Sequence, residues 1–323
     1  MRDIYQFLDN CQIKSKEVVS MLGDASSKKY YRIMTQDDLK NPQPSSFILM
    51  HYPDENFDKF MDVEKVLNAH NILAPKVLHH DKASSLMLLS DFGDISLNKY
   101  LLTFDQDVRL SYYKRALDTM LRMQKIPSWQ LKDAPIYTKS DWSKGVKMAL
   151  NWYFPYLGID NKTLEDQYLE IWSQILDLLP RFDDVFSHRD FHGDNILLTN
   201  GSIGIIDFQD CIFTSPIYDL VSLLDDARID VDERLRDELI DYYISLTGFD
   251  KHEVWLAYNI LGAHKNSRIL GVFARKALQG NNDYVKFMPR TTKYLESNLK
   301  IPQLESLEKW MNKNVWRKNA WHR

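Results

Sequence analysis

The residues Ser187-His188-Arg189-Asp190-Phe191-His192-Gly193-Asp194-Asn195, followed twelve positions later by Asp207, are of the types that phosphoryl transfer requires. That reaction asks little covalent help of a protein. It needs an acceptor hydroxyl oriented and deprotonated in line with a γ-phosphate, and a divalent metal to neutralise the phosphate oxygens. One carboxylate on a loop meets the first need. An amide oxygen and a second carboxylate meet the other, because magnesium is a hard cation that prefers oxygen ligands. The spacing His-x-Asp-x-x-x-x-Asn supplies Asp190 and Asn195 from one loop, and a strand over Ile203 to Ile206 delivers Asp207 at its end.

On these residues the chain resembles the protein-kinase-like superfamily, and more closely its aminoglycoside phosphotransferase and choline kinase branch. Protein kinases usually carry lysine two residues after the catalytic aspartate, whereas this chain has His192, as the small-molecule branch does. The resemblance implies an α+β, two-lobed protein-kinase-like fold that uses ATP and Mg2+. It implies Asp190 as base, Asn195 and Asp207 as metal ligands, and His188 as a brace for the loop. Asp91-Phe92-Gly93 spells the protein-kinase metal motif but precedes the loop by about a hundred residues, the wrong order for that role. Leu88 to Gly93, including Leu89 and Asp91, reads instead as a hinge whose backbone faces the adenine.

The nucleotide-binding part departs from the kinase pattern. It has no Gly-x-Gly-x-x-Gly loop and no Val-Ala-Ile-Lys strand, and His51 stands near where the phosphate-pairing lysine is expected. The candidate cradle is Gly23 to Arg32, in which Ser26 and Ser27 let backbone amides approach phosphates. The pairing cation is left among Lys28, Lys29 and Arg32. Glu64, on the following helix, either anchors that cation or is a surface charge.

Gly23-Asp24-Ala25-Ser26, Tyr218-Asp219-Leu220-Val221-Ser222-Leu223-Leu224 and Gly271-Val272-Phe273-Ala274-Arg275 narrow the resemblance. Together with the catalytic loop they look like the bacterial N-acetylmuramate/N-acetylglucosamine anomeric kinases, from about Met21 to Arg290. That likeness implies phosphorylation of the C1 hydroxyl of an amino sugar in cell-wall recycling. It also implies that Asp219 braces the catalytic loop.

Charge bears on the acceptor. Gly262 to Lys300 holds eight Lys or Arg against two Asp or Glu. His264, Arg268, Gly271 and Arg275 fall on one face of a helix there, and a face turned to the cleft suits an anionic sugar. Arginine is fitted to carboxylate or phosphate, and Gly271 allows close approach to the backbone. Asp210 is placed to touch the sugar. Asp219 to Asp241, with nine acids against three bases, leaves an acidic rim open. Two other readings therefore stand beside the amino-sugar kinase: an aminoglycoside or choline-type phosphotransferase, and a non-catalytic nucleotide-binding protein.

The elements that must position these groups follow from pattern. Lys29 to Met34, Ser46 to Tyr52 and Ser85 to Leu89 have strand composition. Asn56 to His70, Val108 to Gln124, Trp142 to Phe154 and Leu164 to Leu179 carry helical apolar stripes. The 323 residues exceed a usual single core, so residues 1–93 are expected as the nucleotide lobe and 94–323 as a helical lobe. At 44% hydrophobic and 27% charged the chain is globular in composition. Its net charge of −4 gives no case for nucleic-acid binding. No apolar run suits a membrane span, and Cys11 and Cys211, far apart, fit a reducing cytoplasm. The basic tail Trp310 to Arg323 is expected to cap the helical lobe.

Overall fold

The computed structural model of the chain describes residues 2–21, 28–35, 46–53, 56–160 and 162–316. Helix α1 (Arg2–Asn10) precedes β1 (Ser15–Met21), β2 (Lys29–Thr35) and β3 (Ser46–His51). Helix α2 (Phe57–Ala69), β4 (Val77–Asp81) and β5 (Leu86–Ser90) follow. The strands form one antiparallel sheet in the order β1-β2-β3-β5-β4. Its middle strands are buried on both faces: Leu86 and Leu88 pack with Ile4, Phe7 and Leu8 of α1, while Met87 and Leu89 face the opposite core. This is the period-two alternation of a strand covered on both sides.

After the sheet the chain is mostly helical. It runs through α3 (Leu97–Leu101), α4 (Gln106–Met123), α5 (Lys139–Met148), the short α6 (Phe154–Tyr156) and α7 (Glu165–Asp177). Two small antiparallel pairs interrupt the helices. One joins β6 (Val185–Ser187) to β9 (Ile212–Thr214), and the other joins β7 (Ile196–Thr199) to β8 (Ser202–Ile205). Then come α8 (Tyr218–Leu224), α9 (Glu233–Thr247), α10 (Lys251–Leu278), α11 (Met288–Asn298) and α12 (Glu305–Asn314). Side-chain caps start several of these helices: Asp105 accepts from Val108 N, Asp232 from Leu235 N and Asp250 from Glu253 N.

The apolar core beneath the sheet is continuous with that of the helical part. Met50, Phe60, Met87 and Leu89 belong to the same buried cluster as Leu97, Tyr113 and Phe208. The ring of Phe60 lies 4.8 Å from that of Phe208, next to Asp207. The link between the parts is pinned as well, since a Cβ on Gly204 of β8 would lie 2.5 Å from the Phe92 ring. Only glycine lets the Phe92 ring lie flat on the β7–β8 ribbon. At the far end, Trp310 of α12 packs on Phe154 and Tyr168 and donates to Gln167. The rest of the expected capping tail, residues 317–323, lies outside the described residues.

Candidate active site

Two adjoining cavities meet at the catalytic loop. The larger, about 580 Å³, lies under the sheet and is lined by Lys28, Arg32, Leu89, Asp91, Asn195 and Asp207, among others. The smaller, about 290 Å³, is lined by Asp190, His192, Lys265 and Arg268 together with further residues of α10. Asn195 Nδ2 donates to the backbone carbonyl of Asp190 at 3.0 Å, so one hydrogen bond ties the residue at the first cavity to the residue at the second. That bond uses the amide nitrogen and turns Asn195 Oδ1 toward other partners.

The loop is held from below by Asp219. This buried carboxylate accepts from Ser187 Oγ at 2.9 Å, from His188 N at 2.6 Å and from Arg189 N at 3.0 Å. His188, also buried, lies 2.9 Å by its Nε2 from the carbonyl of Ile206, which joins the loop to the residue before Asp207. Arg189 (φ 76°) and Asp207 (φ 61°) both adopt the left-handed region. For residues other than glycine this conformation is strained and persists only where the surroundings enforce it, commonly at functional sites.

The electrostatics differ between the two carboxylates. Burial works against charge on Asp190, but Lys265 and Arg268, then His192 and Arg189, hold it below the usual carboxylate range. Burial likewise opposes charge on Asp207, and Lys28 overcomes it, so that carboxyl also stays ionised. Lys28 Nζ is 2.6 Å from Asp207 Oδ1, with Gln209 Nε2 donating to the same oxygen. Asp207 Oδ2 has no hydrogen-bond partner among the described residues. An amide oxygen and a carboxylate oxygen, both facing the larger cavity, form a donor set that fits magnesium held jointly with nucleotide phosphates.

The three candidate phosphate cations separate. Arg32 is engaged by Asp91 at 2.7 Å and by Asp94 at 2.5 Å, so it ties β2 to the segment that follows β5. Lys29 is exposed and points away from the cavity lining. Lys28 remains, nine-tenths buried, with its ammonium 5.2 Å from the Tyr52 ring centre. Ser26 and Ser27 lie outside the described residues. Glu64 is neither an anchor nor a surface charge: it is buried and bonded to Asn68.

On α10 the observed orientation differs from the expected face. His264 is buried, with Nε2 2.8 Å from the carbonyl of Trp142, and burial pushes its pKa down to about 4. A Cβ on Gly271 would lie 2.3 Å from the backbone of Met148. This glycine therefore admits a neighbouring helix, and at the contact the α5 helix widens into a π turn over Ala149–Tyr153. Arg275 is half-buried and outside the cavity lining. The face turned to the smaller cavity is instead Lys265, Arg268, Ile269, Val272 and Lys276, the next stripe around the helix. Of the four residues expected on one acceptor face, only Arg268 is there. Asp210 lines the larger cavity, where Gln209 donates to it, and not the smaller one.

Lys265 was not legible from sequence. It is 4% exposed, its Nζ donates to the Arg189 carbonyl at 3.0 Å and to Ser222 Oγ, and it lies 4.8 Å from the Tyr218 ring centre. Arg228, beside the same cavity, pairs with Asp194 and Asp226. Lysine and arginine are common on helix surfaces, and nothing in their spacing marked these two.

A sheet-bearing part over a helical part, with a carboxylate at one cavity and oxygen donors at the other, is the arrangement of a two-lobed phosphotransferase. The chain matches the phosphotransferase enzyme family over residues 17–255, and it belongs to that family. It is 30% identical over 276 residues to an N-acetylmuramate/N-acetylglucosamine kinase of Caulobacter vibrioides, covering 80% of this chain and 75% of that one. A Pseudomonas aeruginosa protein of the same name is 27% identical, covering 92% and 88%. Among solved structures, the ADP-bound aminoglycoside phosphotransferase APH(2'')-Ib superposes with a TM-score of 0.62 at 15% identity, covering 91% of this chain and 97% of that one. A choline/ethanolamine kinase family protein from Mesorhizobium loti gives 0.62 at 14%, covering 92% of each. These two share the fold. No helix among the described residues is long and apolar enough to cross a membrane.

Proposed function

We propose that this phosphotransferase moves the γ-phosphoryl group of ATP to the C1 hydroxyl of an N-acetyl amino sugar, N-acetylmuramate or N-acetylglucosamine. The observation that carries this reading is the placement of one loop between two cavities. Asp190 faces the smaller and Asn195 the larger, with Asp207 alongside Asn195. The nucleotide occupies the larger cavity, its base near Leu89 to Gly93 and its phosphates toward Lys28. The lobes divide at Gly93, whose φ of 82° lets the chain turn out of the sheet.

Asn195 and Asp207 are the residues that would hold magnesium, which would neutralise charge on the phosphate oxygens. Asp190 orients the sugar hydroxyl and accepts its proton as the new O–P bond forms and the bond to the ADP oxygen breaks. Lys265 and Arg268 keep Asp190 ionised and so competent to accept. His188 and Asp219 fix the loop by the contacts described above, so that little reorganisation is needed during transfer. Free Cys11 and Cys211 accord with a reducing cytoplasm as the site of the reaction.

An aminoglycoside is a polycation and would meet Lys265, Arg268 and Lys276 at the smaller cavity. Charge thus favours a neutral or anionic acceptor. The test is a coupled ADP-release assay with ATP, comparing the two N-acetyl sugars with kanamycin and choline. Turnover with the sugars and none with the others supports the reading; turnover with kanamycin or choline alone would overturn it.

A further inference from the structure

The smaller cavity carries more charge on its wall than the transfer chemistry needs, and that charge is not balanced. Four of its lining residues besides Asp190 are ionised or ionisable groups already satisfied inside the protein. Asp225 accepts from Tyr258 Oη at 2.6 Å and from Asn266 Nδ2 at 2.9 Å. Asp226 accepts from Asn98 Nδ2 at 2.6 Å and from Gly193 N at 3.2 Å. Arg228 is spread over Asp194 and Asp226. Lys265, as shown, is spent on the catalytic loop.

Two cations are left. Neither Arg268 nor Lys276 makes a hydrogen bond or ion pair among the described residues. Arg268 is half-buried and couples electrically to Asp190, Tyr218 and Tyr137. Lys276 is half-buried with its ammonium 4.6 Å from the Tyr284 ring centre. A partly desolvated cation held only by a ring face or by attraction through space keeps its hydrogen-bond donors unused, and an arginine-lysine pair facing a cavity is the arrangement that an anion completes.

The spacing assigns them different places. Helical side chains lean toward the helix N-terminus, which carries the Lys276 ammonium back over Val272. The axial rise from Arg268 to Val272 is about 6 Å. Between the two cations Ile269, Val272 and Phe273 form an apolar floor, suited to the face of a sugar ring. Arg268 is thus at the Asp190 end of the cavity and Lys276 at the end away from it.

We infer that the acceptor cavity contains a carboxylate subsite, with Lys276 as its anchoring cation and Arg268 completing the positive wall toward Asp190. This rests on the amino-sugar reading and deepens it. N-acetylmuramate differs from N-acetylglucosamine by a lactyl ether that carries a carboxylate. With C1 at Asp190 and the ring over the apolar floor, that carboxylate reaches Lys276. Lys276 is accordingly a specificity-determining residue, and the enzyme distinguishes the two sugars by charge as well as shape.

The experiment is steady-state kinetics with ATP and each sugar, on the wild type, Lys276→Met and Lys276→Arg. The ratio of kcat/KM for N-acetylmuramate over that for N-acetylglucosamine should fall about 10- to 100-fold in Lys276→Met, the range for loss of a charged hydrogen bond. Lys276→Arg, which keeps the charge, should restore most of the ratio. A methionine variant that loses activity equally toward both sugars makes Lys276 a structural residue and overturns the subsite, as does an unchanged ratio. Wild type that phosphorylates neither sugar overturns the amino-sugar reading and the subsite with it. Wild type that phosphorylates N-acetylglucosamine while the ratio ignores Lys276 overturns the subsite alone.

Discussion

The ammonium of Lys28 sits 2.6 Å from Oδ1 of Asp207, across 179 positions of sequence. A cation beside one of the two proposed metal-binding groups lies where, on that proposal, nucleotide phosphates must also arrive. The sheet carries it there because Lys28 immediately precedes β2, in which Lys29 pairs with His51 of β3. The charge proposed to pair the phosphates thus comes from the start of one strand, while the neighbouring strand has histidine at the expected position.

Lys28→Met should therefore raise the KM for ATP and lower kcat/KM for ATP by about 10- to 100-fold, the cost of one charge-assisted contact. Lys29→Met, on an exposed side chain, should change it little. The pH dependence has a defined sign. Lys28 holds the Asp207 pKa below its ordinary value, so removing it moves the acid limb of kcat/KM for ATP to higher pH. Fluorescence titration with ATP and rate measurements from pH 4 to 8 check both points (about four units spans the carboxylate range). An acid limb that stays in place contradicts the pairing.

Lys265 gives a second pH signature. Burial pushes its pKa down to about 8, although Asp190 and Asp219 oppose the shift. The groups around it are Arg189, Asp190, Asp219, Ser222, Tyr218 and Arg268. Below that pKa its charge strengthens the bond to the Arg189 carbonyl that positions the catalytic loop; above it that hold weakens. Turnover should fall as pH rises through about 8. Stability moves the other way: a free lysine titrates near about 10.4, so between the two values the unfolded chain binds this proton more tightly. The contribution of Lys265 to stability then rises with pH across that window. Urea denaturation of wild type against Lys265→Met, run beside the rate profile, shows whether the two trends diverge.

Gly271→Ala tests the reading of α10. The added methyl meets the Met148 backbone at 2.3 Å, and overpacking of this kind costs about 1–3 kcal/mol. The expected result is a lowered denaturation midpoint with little change in either substrate KM at permissive temperature. A selective rise in the KM for the sugar would return Gly271 to the acceptor site.

The loop that brings Asp190 and Asn195 together was legible because phosphoryl-transfer chemistry fixes both residue type and spacing, and Asp190, Asn195 and Asp207 line two adjoining cavities. Strands β2, β3 and β5 were legible for a different reason: as inner strands they are largely apolar. The pattern missed β1 and β4, which are the two edges of the sheet. Their burial is shallow, so Ser15–Met21 and Val77–Asp81 carry polar residues where an inner strand would not. Helix α10 was read as a basic helical stretch without bounds. Periodicity set which of its residues share a face, but not which face meets solvent, a cavity or α5. The sequence reading chose the stripe containing Gly271 for the cleft, while packing against Met148 claims that stripe for the core.

The central claim is transfer to the anomeric hydroxyl, and the product of the reaction tests it most directly. Wild-type enzyme should be incubated with ATP and N-acetylmuramate or N-acetylglucosamine, and the product examined by phosphorus NMR with proton coupling. The account predicts a phosphorus resonance coupled to the anomeric proton, loss of reducing-end reactivity, and a drop in rate of about 10²- to 10⁴-fold in Asp190→Asn. A phosphate on C6, or equal turnover of the 1,5-anhydro sugar that lacks the C1 hydroxyl, would contradict it.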